Sequence, residues 1–147
     1  FDDKEDLFFS LVRSGMAQLV ERLRLQLDEP GPALQKLRRI IESIVEFAAQ
    51  NPHIFELVRM NLSPKRKTML RSLREQFVGM LEQAINEGIA AGELCDPNPA
   101  LSAQFILGMV RSAIVFGGRS MDPHSISGHI MHWIGRGLGR PGNGAAK

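Results

Sequence analysis

Cysteine is almost absent from this sequence of 147 residues, and so are long hydrophobic runs. The single cysteine, Cys95, excludes an internal disulfide. No uninterrupted apolar run approaches the roughly 18 residues that a membrane span needs, and neither end resembles a secretory signal. We therefore expect a cytoplasmic protein without a membrane role.

The sequence also lacks a strong charge of one sign and a recognisable catalytic motif. Its 18 basic and 16 acidic residues give a net charge of +2, which is too small to indicate a nucleic-acid surface. Neither G-x-S-x-G nor H-E-x-x-H is present, and the G-x-G-x-x-G match at 137–142 follows a helical pattern instead of a strand. These absences predict a protein that is not an enzyme and has no cofactor.

Helical periodicity is present in almost every segment, and no strand alternation is sustained, so the sequence predicts an all-α bundle of about six helices. Proline, glycine and capping residues separate the segments. The predicted helices cover residues 3–27, 32–50, 53–61, 64–91, 100–116 and 125–138.

The C-terminal third of the chain contains the most apolar predicted helix, followed by a glycine-rich segment. Helix 100–116 is apolar nearly all round, with Arg111 as its only charged residue, which predicts burial on more than one side. Residues 135–144 carry five glycines and a proline. We expect one folded domain over 1–139 and a disordered tail over 140–147.

Three places in the chain, taken in order, resemble the regulatory domains of TetR-type bacterial repressors. Residues 1–7 resemble the junction between the helix-turn-helix and the first regulatory helix, and 85–94 (INEGIAAGEL) resembles the end of the long seventh helix. The third match is the apolar helix that this family uses for pairing. Its matching residues are Asp96, Pro97, Ala100, Ala103, Gly108 and Met109.

The resemblance implies an architecture and a mechanism. The last two helices would form a four-helix bundle with a second subunit, giving a homodimer, and the inner helices would enclose a pocket for a small hydrophobic effector. Effector binding would change the spacing of two DNA-reading heads. Those heads would precede residue 1, so this chain would contact operator DNA only through an N-terminal domain that it does not include.

Methionine and phenylalanine side chains are the candidates for lining the effector pocket, because they offer adaptable and flat apolar surface. The same residue types fill ordinary cores, so for each single candidate core packing is favoured over pocket contact. The candidates are Met16, Phe47, Phe55, Met60, Met69, Phe77, Met80, Phe105 and Met109.

Arg111 is a further ligand-binding candidate, because a guanidinium within an apolar helix cannot lose its charge and must find a carboxylate, carbonyls or water. It could bind an acidic ligand, form an ion pair across the dimer or extend to solvent.

The dimer interface is predicted on the last two helices. Its candidates are the apolar residues and one serine that recur at helical spacing there. They are Leu101, Phe105, Ser112, Phe116, Ile126, Ile130, Trp133 and Ile134.

Two polar clusters suggest sites but favour plainer interpretations. His129 and His132 share a helix face near His124, yet only Asp122 is close enough in sequence to complete a metal site, so no metal is predicted. The basic residues 65–67 with Arg71 and Arg74 are more typical of a solvated helix face than of a phosphate-binding site.

These observations predict the regulatory and dimerisation domain of a ligand-responsive transcriptional regulator, in particular a repressor that an effector relieves. The alternative is a helical ligand carrier, or a protein-interaction bundle, without control of DNA.

Overall fold

The computed structural model describes residues 3–52, 62–117 and 122–139, and it confirms the all-α class. The described residues form five helices: α1 (Lys4–Asp28), α2 (Ala33–Gln50), α3 (Pro64–Ala90), α4 (Pro99–Phe116) and α5 (Pro123–Leu138). Each lies within two residues of its predicted bounds. The predicted helix over 53–61 and the predicted tail over 140–147 lie outside the described residues.

Side-chain caps explain why four helices begin where they do. An oxygen of each cap accepts a hydrogen bond from the backbone N–H three residues later, which satisfies a donor that has no partner within the helix. Proline, which has no N–H to satisfy, occupies the first position of α3, α4 and α5. The caps are Asp3 (2.8 Å), Ser63 (3.3 Å), Asn98 (3.1 Å) and Asp122 (3.1 Å).

Helix α2 is the centre of the bundle, because it contacts α1, α3, α4 and α5. Leu37, Ile40, Ile41 and Val45 of α2 are fully or almost fully buried. The wide apolar surface of this helix therefore packs on several sides, as a helix that is hydrophobic over most of its circumference must.

The end of α3 is joined closely to the start of α2 by the turn that follows α3. The N–H groups of Glu93 and Leu94 donate to the carbonyl of Gly88 at 2.8 and 3.1 Å, and Gly92 has the positive φ of 76° that such a helix ending needs. A carboxylate oxygen of Glu93 accepts a 2.6 Å hydrogen bond from the N–H of Ala33. This turn therefore supplies the side-chain cap that Pro32, at the start of α2, cannot provide.

Lys36 connects three helices from a position where its side chain is only 12% exposed. Its Nζ donates to the carbonyl oxygen of Leu27 at 2.9 Å and to the carboxylate of Glu87 at 3.0 Å. Hydrogen bonds from Gln83 and then from Lys36 hold the pKa of the Glu87 carboxyl below its ordinary value. The last turn of α1 and the end of α3 are thus held to α2 by one ammonium group.

We expect Lys36→Met to lower the free energy of unfolding by about 1–2 kcal/mol, because the apolar stem is kept while two charge-assisted hydrogen bonds are lost. The pKa of Glu87 is lowered in the folded state, so its contribution is present at neutral pH and is lost as the pH falls through that lowered value. The difference between the variant and the wild type should therefore shrink in acid. Urea denaturation at several pH values measures it, and Lys65→Met at an exposed position should leave stability unchanged.

Candidate functional site

Three of the predicted pocket residues lie around the first half of α1. Met16 is half-buried and packs against both the main core and a small second cluster, in which Phe9 and Val12 of α1 meet Met69 of α3. Phe47 of α2 lies beside the α1 backbone, since a Cβ placed on Gly15 would be 3.1 Å from its ring. The structure therefore places Met16, Phe47 and Met69 at the junction of α1, α2 and α3, outside the tightest part of the core.

The remaining pocket candidates are dispersed. Phe77 and Met80 are both buried in the main core, and Met109 is half-buried against it. Phe105 and Arg111 are exposed on the outer side of α4, so neither lines an interior pocket in this protomer. Phe55 and Met60 lie outside the described residues.

A cleft of about 330 Å³ lies between the second half of α1 and the middle of α3. Its lining is polar and apolar in nearly equal parts, and Arg24 donates from Nη2 to Oε1 of Gln76 at 3.0 Å within it. Met80 is the only predicted pocket residue in its lining. The other lining residues are Leu27, Asp28, Gly79 and Gln83.

The start of α1 is fastened to the start of α3. The guanidinium of Arg66 forms an ion pair with Asp6 and lies over the ring of Phe9, with Cζ 5.1 Å from the ring centroid. Arg13 donates to the sulfur of Met69 at 3.5 Å. Arg66 is half-buried, whereas Lys65, Lys67, Arg71 and Arg74 are exposed, as a solvated helix face predicts.

The outer faces of α4 and α5 carry large apolar side chains that are exposed. Phe105, Trp133 and Phe116 are 62%, 61% and 82% exposed, and Leu101 is also exposed. Ser112 is exposed beside them, and a Cβ built on Gly108 would meet no atom within 4 Å. We call this set of exposed residues on α4 and α5, defined by Leu101, Phe105, Ser112, Phe116 and Trp133, the pairing face.

Three predicted interface residues do not belong to the pairing face. Ile126, Ile130 and Ile134 are buried in the main core of the same protomer, so they are not available to a second subunit. Trp133 is adjacent in sequence to Ile134 and three residues from Ile130. The apolar spacing therefore grouped it with the isoleucines, although the fold exposes Trp133 and buries Ile130 and Ile134. On α5, the outward side carries the histidines and the inward side carries the isoleucines.

Helix α4 has a composition that distinguishes it from the other described helices. By length and composition alone it could cross a membrane, although only 17% of it is buried in the protomer. Its inner residues Ala103, Ile106 and Val110 are buried. The prediction that α4 is buried on more than one side is therefore wrong for the single protomer, because its outer side faces no other described residue of the chain.

A polar contact on the outer side of α5 was not predicted from the apolar periodicity of this helix. Nε1–H of Trp133 donates to Nε2 of His129 at 3.3 Å, and the rings of His129 and His132 are stacked with centroids 6.3 Å apart. The sequence contained one signal for these contacts: His129 lies three residues before His132 and four residues before Trp133, which are spacings that bring side chains together on a helix. Among the described residues, no group of three or more His, Cys, Asp or Glu side chains is arranged to hold a metal ion.

Comparisons with known proteins agree with this fold. The chain is 24% identical, over 94% of its length and 75% of the relative, to a fatty acid metabolism regulator protein of Bacillus subtilis. Among solved structures, the TetR-family regulator PfmR from Thermus thermophilus matches with a TM-score of 0.80 and 21% identity, over 95% of this chain and 79% of that one. The transcriptional regulator FadR from Bacillus subtilis, solved in complex with stearoyl-CoA, matches with a TM-score of 0.75 and 21% identity, over 91% and 76%.

A match to a known domain family assigns the chain to that family more directly than the similarities of 21–24% identity to single proteins. Residues 30–115, more than half of the sequence, match the tetracyclin repressor-like C-terminal domain family. This range runs from the turn before α2 to near the end of α4, so it includes the central helix α2, all of α3 and most of α4. The chain belongs to the tetracyclin repressor-like family of transcriptional regulators, of which it represents the C-terminal domain.

Proposed function

We propose that this domain, residues 1–139, binds a small hydrophobic effector and pairs with a second copy, and that it thereby controls a DNA-reading domain attached before residue 1. The tail at 140–147 takes no part. The regulator acts in the cytoplasm as a repressor that its effector releases. The observation that carries the proposal is the pairing face, which combines exposed aromatic side chains with the most apolar of the five described helices.

Pairing through this face accounts for its composition. Large exposed apolar patches are uncommon on monomeric proteins and mark sites of association. A two-fold arrangement of α4 and α5 would place each copy's Phe105 and Trp133 against the same face of the other, as in a four-helix bundle. The outer side of α4 would then be buried as its composition requires.

The effector class that fits best is a long-chain fatty acyl group, carried as an acyl thioester. The curated relative is a fatty acid metabolism regulator, and the FadR structure contains stearoyl-CoA. Met16, Phe47 and Met69 offer an adaptable apolar lining at the junction of α1, α2 and α3. The cleft beside Arg24 has two charged side chains, Arg24 and Asp28, in its lining and is a poorer match for an acyl chain.

The position of this junction also suggests how an effector would act on DNA binding. The Arg66–Asp6 ion pair and the cluster around Phe9 fasten the start of α1, next to which the DNA-reading domain would be attached. An effector beside Met16 and Met69 would change the packing of that cluster. Only a difference in affinity between the two arrangements can shift their populations, and a shift from about 1:99 to about 99:1 requires about 5.5 kcal/mol.

Titration with stearoyl-CoA, using butyryl-CoA as the short-chain control, tests the effector class. We expect stearoyl-CoA to raise the free energy of unfolding by about 2.7 kcal/mol at a hundredfold excess over Kd, and butyryl-CoA to have little effect. Met16→Gln should weaken binding of stearoyl-CoA, whereas Arg24→Gln in the cleft between α1 and α3 should not. Equal binding of both thioesters, or loss of binding only in Arg24→Gln, would contradict the proposed site.

Control of DNA is tested on the full-length regulator. We expect an N-terminal domain joined before residue 1 to bind operator DNA and stearoyl-CoA to release it. Release by the ligand separates a regulator from a carrier or an interaction bundle. If the full-length protein binds stearoyl-CoA without any change in DNA binding, the carrier alternative is correct.

A further inference from the structure

The two helices that carry the pairing face contain no acidic residue. After Asp96 the sequence has a single carboxylate side chain, Asp122, and this one caps α5 by accepting from the N–H of Ser125 at 3.1 Å. Arg111 of α4 and Arg136 of α5 are cationic and exposed. The ionisable side chains of α4 and α5 are therefore all arginines and histidines, which can carry only positive charge.

His129 is joined to Trp133 by a hydrogen bond on the outer side of α5. Its Nε2 accepts the indole N–H at 3.3 Å, and a nitrogen that accepts a hydrogen bond carries no proton. Protonation at Nε2 would replace this acceptor with a donor and break the contact. His132 stacks on His129, so a proton on each ring would also place two positive charges side by side.

Helices α2 and α4 pack against α5, and their described residues form no ion pair with these histidines. Arg111 is the only charged residue of α4, and α5 itself adds only His124 and Arg136. Helix α2 carries two carboxylates: Glu42 pairs with Arg38 at 3.6 Å, and Glu46 is exposed. No ion pair of the described residues joins a carboxylate to His129 or His132. The basic residues of α2 are Lys36, Arg38 and Arg39.

We propose that pairing through this face is sensitive to protons, so that two copies associate at neutral pH and separate as His129 and His132 become charged. The inference rests on the proposed pairing of α4 and α5. In a two-fold interface the partner presents the same face, so its α4 and α5 add five positive or protonatable side chains and no carboxylate. Like charges brought together without a counter-ion oppose association.

The direction of the effect follows from proton linkage. If the pair holds fewer protons than two separate protomers, association releases protons and is favoured at higher pH. Histidine ordinarily changes charge between about pH 5 and about pH 8, so the loss falls in that range. We expect the Kd for pairing to rise at least about tenfold between about pH 7.5 and about pH 5.5.

Sedimentation equilibrium of the 147-residue chain at both pH values tests the proposal. The His129→Gln, His132→Gln double variant is the key comparison, because glutamine keeps an acceptor for Trp133 but does not titrate. We expect the wild type to dissociate in acid and the double variant to associate equally at both pH values. Added salt should strengthen wild-type pairing in acid, because it screens like charges.

Each other result has a distinct meaning. A dimer whose Kd does not change with pH overturns the proton sensitivity and leaves pairing intact. A double variant as sensitive to pH as the wild type also overturns it, because other groups would then be responsible. A monomer at both pH values overturns the proposed pairing itself. Circular dichroism at about pH 5.5 checks that the protomer remains folded.

Discussion

Phe105→Arg is expected to convert the paired protein into a monomer. The side chain is 62% exposed in the protomer and is one of the aromatic residues of the pairing face, and aromatic residues carry much of the binding energy of interfaces. A loss of about 2 kcal/mol for each copy, counted twice in a two-fold interface, raises the Kd about a thousandfold. Arginine also adds a cation to a face on which the two helices provide no carboxylate.

A matched control for this substitution is Leu25→Arg. Leu25 is 71% exposed on α1 and lies outside the pairing face, so the same change of charge there should leave association unaffected. Both positions are exposed, and the free energy of unfolding of each protomer should change by less than about 0.5 kcal/mol. Sedimentation equilibrium distinguishes the two variants. A Phe105→Arg protein that still pairs as tightly as the wild type would show that copies associate through another surface.

Gly88→Ala is expected to lower the free energy of unfolding by about 1–3 kcal/mol, although alanine is the better helix former. A Cβ at this position would lie 2.5 Å from Cδ1 of Leu94 and 2.6 Å from Cβ of Ala33. Neither neighbour can easily retreat. The N–H of Leu94 is bonded to the Gly88 carbonyl, and the N–H of Ala33 is bonded to Glu93.

Gly79→Ala provides the comparison, because it makes the same change on the same helix. A Cβ at Gly79 would meet no atom within 4 Å, so this substitution should raise the free energy of unfolding by about 0.5–1 kcal/mol through helix propensity alone. Urea denaturation followed by circular dichroism measures both. If the two variants changed stability in the same direction, the close approach of α3 to α2 at Gly88 would not require glycine.

The bounds of the helices could be predicted because local chemistry sets them. Asp122-Pro123 and Ser63-Pro64 are signals that work within a single turn, and both mark a helix start in the fold. The central position of α2 followed from its broad apolar surface. These features depend on residues close in sequence, and tertiary packing did not override them.

The site could be predicted only in part, because it depends on which face of each helix turns inward. Apolar spacing on α5 did not separate Ile134 from Trp133, although the fold buries one and exposes the other. Met80 and Met16 have the same chemistry, yet one is buried in the main core and the other is half-buried at a helix junction. The hydrogen bonds of Lys36 join residues up to 51 positions apart, and no local pattern indicates them.

The exposed side of α4 has a consequence for the lifetime of the protein in the cell. A single protomer displays Phe105 and Phe116 to water, and until the proposed pairing covers them it is open to chaperones, proteases and self-aggregation. Pairing stabilises the folded form by mass action. The number of copies synthesised would then set how long each copy survives, so that a scarce regulator is cleared faster than an abundant one.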